Sequence, residues 1–278
     1  MRAHFGGSSR ESLKVSRAML DAAVKDATVE TAGQLSAELF SCAQVLSGSI
    51  GLRRAITDPS RDSAAKVALV TEIFGKSLNA KTLEIITKIA SLRWSSSGDL
   101  VPVIEQLAIE AQGSAANIAN ELDRVEDEFF AVSQAISGSF DLRKALTTSG
   151  ADEAKTSLVV ELLGKTNTDS TVKLVSHLVN NLRGRSIEAA FEDYFYALAA
   201  RRNRLIAHVR VATEITDEQK NRLAIVLASQ TGQPVRVNIE VDPSVIGGVS
   251  VTFGDEIIDG TISNRLAGAG RALVGAQG

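Results

Sequence analysis

The residues that could do chemistry are few and scattered. Gly247-Gly248, after Asp242-Pro243-Ser244-Val245-Ile246, would be the place for a phosphate, because glycine lets backbone amides approach a ligand closely. A phosphate loop closes on Lys-Ser or Lys-Thr, or runs G-x-G-x-x-G from strand to helix, and this stretch does neither. Turn and hairpin geometry accounts for the same glycines. Asp255, Glu256 and Asp259 are the densest acidic group nearby. Strand alternation sends Asp255 and Glu256 to opposite faces, and their spacing is not that of a calcium loop. Asp259, followed by Gly260 and Thr261, is better suited to cap a helix. No metal site and no cofactor are expected.

The three histidines, His4, His177 and His208, fall in three different contexts, with no nucleophile elbow or Cys-His pair beside them. Cys42, the single cysteine, has no partner for an intrachain disulfide and reads as a small buried hydrophobe. Arg201-Arg202-Asn203-Arg204 and Arg183-Gly184-Arg185 are the basic runs. Both lie near expected helix ends, where cations complement the macrodipole. A nucleic-acid binder usually carries a strong basic excess, whereas this chain has a formal charge of −3. The same balance gives no electrostatic attraction to an anionic membrane. No stretch approaches the ~18 consecutive apolar residues of a membrane span.

Hydrophobic residues make up 44% of the 278 residues but aromatics only 4%, so aliphatic side chains must fill the cores, which favours helix bundles. An internal repeat organises them. Ser47-Gly48-Ser49-Ile50-Gly51-Leu52-Arg53-Arg54-Ala55-Ile56-Thr57 returns ninety residues on as Ser137-Gly138-Ser139-Phe140-Asp141-Leu142-Arg143-Lys144-Ala145-Leu146-Thr147, with seven of eleven positions identical. Glu38, Phe40 and Gln44 precede one copy as Glu128, Phe130 and Gln134 precede the other. Downstream, one residue is lost: Ala65-Lys66, Leu69, Glu72 and Gly75-Lys76 match Ala154-Lys155, Leu158, Glu161 and Gly164-Lys165. A collinear series of this kind is a tandem duplication.

Within each copy the spacing is helical. Leu83, Ile86, Ile89 and Ala90 form one stripe, and Val172, Val175, Leu178, Val179 and Leu182 another. After Arg204 the pattern becomes that of strands. Residues 205–212 alternate, Thr216 to Gln219 carry a capping box before a helix reaching Gly232, and 234–241 alternate again. A third strand over 248–253, a hairpin at Gly254-Asp255, strand 256–258 and a last helix near 262–273 complete the pattern. The expected fold is mainly α with a C-terminal α/β module. Its parts are a helical bundle over 1–115, a second over 116–204, and the module over 205–278.

These residues carry a family likeness. Asp242, Pro243, Ile246, Gly247 and Gly248, then Gly254, Asp255, Ile258, Asp259 and Gly260, resemble the C-terminal signature of the delta (oligomycin-sensitivity-conferring) family of F-type ATP synthases. Ser16-Arg17-Ala18-Met19-Leu20-Asp21-Ala22 is similar to that family's opening helix, and Leu182-Arg183-Gly184-Arg185 to the close of its fifth. The doubled helical unit resembles the actinobacterial form. The resemblance implies a non-catalytic connector in the peripheral stalk, one copy per complex, on the cytoplasmic face of the cell membrane. Its implied partners are the N-terminal helices of the head's alpha subunits and the b-type stalk subunits. With no anchor segment before Met1, a separate stalk protein is expected. The implied groove positions are Leu13, Met19 and Leu20 with Ile85, Ile89 and Leu92, or Leu174, Leu178 and Leu182 in the second copy. A plain core role competes for the same residues. A general helical scaffold and a nucleotide-binding protein are the alternative readings.

Overall fold

Each copy of the repeat folds by the same local rules. The computed structural model describes residues 5–201, 205–231, 235–242, 245, 249–253 and 256–259. The chain divides into two units, Met1–Leu198 and Ala199–Gly278.

In the first unit, α1 (Gly7–Val24) precedes α2 (Val29–Gly48), α3 (Ile50–Thr57), α4 (Ser63–Phe74), α5 (Ala80–Ser91) and α6 (Leu100–Ile118). The second copy follows as α7 (Leu122–Gly138), α8 (Phe140–Thr147), α9 (Asp152–Leu163), α10 (Asp169–Asn180) and α11 (Ile187–Ala200). The repeated serines break the chain in the same way. Ser49 caps α3 by accepting from the Leu52 amide, and Ser139 caps α8 from the Leu142 amide. Arg53 then folds back onto the Leu46 and Ser47 carbonyls, as Arg143 does onto Ser137, satisfying groups that the preceding helix end leaves open.

The repeated glutamates are staples. Glu38 accepts the Asn79 amide at 3.0 Å, and Glu128 accepts the Thr168 amide at 2.8 Å, so each fastens its own α2-type helix to the start of an α5-type helix. Burial penalises the Glu128 carboxylate, but the Thr168 amide and the hydroxyls of Thr171 and Thr168 outweigh that and hold its pKa below the usual range. Lys66 and Lys155, also repeated, are both buried. Lys155 donates to the Val179 carbonyl at 3.0 Å.

α6 sits at the centre. From Leu100 to Ala116 every residue except Pro102 and Gln106 is buried, the mark of a helix surrounded on all sides. It packs along α2 and against α1, α7 and α10. It therefore belongs to both copies: α1 packs on α5 and α6 in the first, and α6 packs on α7 and α10 in the second. The sequence position 115/116 falls inside this helix.

In the second unit, β1 (Leu205–Val211), α12 (Asp217–Thr231), β2 (Val235–Val241), β3 (Val249–Phe253) and β4 (Glu256–Asp259) build one sheet in the order β2-β1-β3-β4. β1 pairs parallel with β2 and antiparallel with β3. The capping box is present: Thr216 N–H donates to Gln219 Oε1 at 2.8 Å, and Gln219 N–H returns to Thr216 Oγ1. Ala207, Val209, Val211, Val235, Val237 and Val251 form the core with Leu227 of α12. Asp259 is the last residue of β4; the expected final helix, and any cap it has, lies outside the described residues.

Among the described residues no single helix is long and apolar enough to cross a membrane. α2 and α3 would reach that length together, but they meet at 106°.

Candidate partner-binding surfaces

The groove positions read from the sequence divide by depth. Leu13, Leu20, Ile85, Ile89, Leu174 and Leu178 are core, at most 8% exposed. Met19, Leu92 and Leu182 are half-buried and reach the surface beside them. Of the C-terminal signature, Asp242 follows β2 and pairs with Arg210 at 3.6 Å. Ile258 and Asp259 lie in β4. Pro243, Ile246, Gly247, Gly248, Gly254, Asp255 and Gly260 lie outside the described residues.

α1 is tied down by hydroxyls. Ser9 donates to Asp99 at 2.6 Å and Ser12 to the Arg93 carbonyl at 2.6 Å, both in the loop before α6. Arg17 reaches across to buried Glu110 of α6 at 2.6 Å. Burial works against the Arg17 charge, but Glu110 and Tyr196 outweigh it and hold the guanidinium above its ordinary value. Lys81 of α5 donates to the Ala23 carbonyl in the last turn of α1.

The second copy repeats this plan with charges. Its α10–α11 loop turns at Arg183 (φ 49°) and Gly184 (φ 78°), the left-handed region that glycine enters freely and arginine does not. Arg183 and Arg185 both close on Glu105 of α6, which is 3% exposed, and Arg185 also holds Asp193 at 2.9 Å. Burial lowers the Arg185 pKa, but Glu105 and Asp193 raise it further, so the charge is secure. Tyr194 lies fully buried beside this cluster. Burial, then the Glu105 charge, pushes its phenol well above the usual value. Arg185 donates to the Asn181 and Leu182 carbonyls at the end of α10, as its place near a helix end suggested, and both arginines also neutralise a buried carboxylate some eighty positions earlier. Sequence spacing could not pair them. The signal available was Glu105 itself, one of two carboxylates, with Glu110, on a mostly apolar helix.

Cys42 is fully buried in α2, and its thiol is pushed up to about 12 by burial, so it is inert as a nucleophile. His177 of α10 stacks on Phe40 of α2, ring centroids 3.9 Å apart and 11° from parallel, and burial lowers its pKa to about 4. Sequence reasoning missed this contact, which joins the two copies.

Among the described residues there is no group of three His, Cys, Asp or Glu side chains able to hold a metal ion. What the surfaces offer is helix faces. Residues 110–273 match the family described as ATP synthase delta (OSCP) subunit. ATP synthase subunit delta of Streptomyces coelicolor is 41% identical over 268 residues, covering 96% of this chain and 97% of that protein. Those of Streptomyces avermitilis (41% over 274 residues, 98% and 99%) and Kineococcus radiotolerans (38% over 270 residues, 97% and 98%) agree end to end. The chain belongs to the ATP synthase delta (OSCP) family. The family match begins inside α6, the helix both copies share, and takes in the whole of the second copy.

Proposed function

We propose that the chain braces the catalytic head of ATP synthase against the membrane-bound stalk. It is a non-catalytic component of the peripheral stalk, and its partners lie within the ATP synthase complex. The carrying observation is the likeness to delta subunits over nearly the whole length, duplication included. In this reading one of the two helical copies, 1–115 or 116–204, takes the N-terminal helices of the head's alpha subunits. Met19 and Leu92, or Leu182, form the rim over the buried Leu13, Leu20, Ile85, Ile89, Leu174 and Leu178. The module over 205–278 grips the b-type stalk subunits through the signature region. One copy serves each complex, at the cytoplasmic face of the cell membrane.

Magnitude supports contacts at both ends. Four apolar anchors at about 2 kcal/mol each give roughly 8 kcal/mol before ordering costs, near micromolar. Two such contacts on one chain raise the effective concentration of each other. Affinity capture from solubilised membranes tests the reading. The tagged chain should bring down head and stalk subunits together, and cells lacking it should lose proton-coupled ATP synthesis. Capture of neither, with synthesis intact, overturns it.

A further inference from the structure

Two like copies that share a helix can pair wrongly. α6 stands to the second copy as α1 stands to the first: α1 packs on α5, and α6 packs on α10. If α1 of one chain took the place of α6 against α10 of another, the exchange would join two molecules. Repeat proteins misassemble in this way, and the closer the copies resemble each other the easier it becomes.

The buried faces of the two helices differ in kind. The buried residues of α1 are Ser9, Ser12, Leu13, Ser16 and Leu20, with no charge among them. α6 buries two carboxylates, Glu105 and Glu110. Each helix meets a loop suited to it. In the first copy, a Cβ on Gly6 would sit 2.5 Å from the Ser95 side chain, and Ser9 and Ser95 exchange amide-to-hydroxyl bonds at 2.9 and 3.3 Å. Arg93 of that loop offers Ser12 its backbone carbonyl, while its side chain lies exposed. The loop therefore takes small, neutral groups. In the second copy, Arg183 and Arg185 converge on Glu105, so that loop takes a carboxylate. Arg17 of α1 pairs instead with Glu110, which holds α1 to its own side of α6.

We propose that Glu105, with Arg183 and Arg185, sorts the copies: its charge decides which helix the second copy accepts and keeps the folded chain monomeric. α1 seated against α10 would bring only serines and leucines to the two arginines, and Arg17 would lose Glu110. Glu105 placed under the first copy's loop would meet serine hydroxyls and the Asp99 carboxylate. Discrimination rather than strength is the role. A buried ion pair often adds little over neutral groups of like shape, whereas a mismatched one leaves a buried charge uncompensated. The choice depends on the duplication alone and is independent of the stator reading.

Refolding the full-length chain from urea at a series of concentrations tests this, read by size-exclusion chromatography with light scattering. The unaltered chain should return to one monomeric species. A neutral variant, Glu105→Gln with Arg183→Asn and Arg185→Gln, keeps a residue that tolerates the left-handed turn. It should fold by circular dichroism yet give roughly tenfold more dimer than the unaltered chain. That dimer should persist when the folded sample is diluted, because an exchanged helix comes back only through unfolding. Arg183→Lys with Arg185→Lys keeps the charges and should stay monomeric. A neutral variant that refolds to monomer alone overturns the inference. So does one that fails to fold, since the cluster would then supply stability rather than choice. Dimer that falls apart on dilution, or equal dimer in the lysine variant, overturns it as well.

Discussion

At the scale of single residues, buried charge and buried imidazole tie the helical unit together, and each makes stability depend on conditions. His177 titrates near 4 in the folded chain and near 6.5 in the unfolded one, because the stacked, desolvated ring resists protonation. The unfolded chain therefore binds the proton first. The stabilisation is complete above pH 6.5 and is lost as pH falls toward 4, about 3 kcal/mol in all. Urea titrations at pH 7 and pH 5 should show about 2 kcal/mol of this loss, and His177→Phe should flatten it. An unchanged pH profile in that variant would place the acid sensitivity elsewhere. The Glu105 cluster shows what the sequence hides at this scale. Arg183 and Arg185 look like solvated cations until the fold brings Glu105 beneath them.

Among elements, the repeat was readable, and so were the strands after residue 204. Identical Ser-Gly-Ser and Leu-Arg segments gave the same caps twice, and alternation after residue 204 predicted strands that formed. Two things were not readable. Stripes of Leu and Ile mark a buried face without saying whether the neighbour is the same copy or the other, so six of the nine groove positions turn out to be core. The stacking of Phe40 on His177 joins residues with no shared pattern. The repeated glycines permit a sharper test. Gly75 and Gly164 follow α4 and α9 in right-handed helical geometry, where alanine would ordinarily be favoured. A Cβ there would sit 2.5 Å from the Thr71 carbonyl oxygen and 2.6 Å from that of Val160. Gly164→Ala should therefore destabilise by about 1–3 kcal/mol, as should Gly75→Ala. Thermal melts showing stabilisation in either would mean that the helix end relaxes freely.

For the whole molecule, the central fact is that α6 serves two sets of helices. The copies are not beads on a linker, so damage in one should be felt in the other. Leu39, fully buried in α2, offers the test. Leu39→Ala should cost about 3 kcal/mol, and hydrogen exchange should quicken at the slowest amides of α10 as well as α5, because both open together. Protection lost only in the first copy would show two independent folding units. A nineteen-residue helix is about 28 Å of continuous hydrogen-bonded rod. In the proposed stator role, a twisting load on one copy reaches the other through that shared rod rather than across a linker.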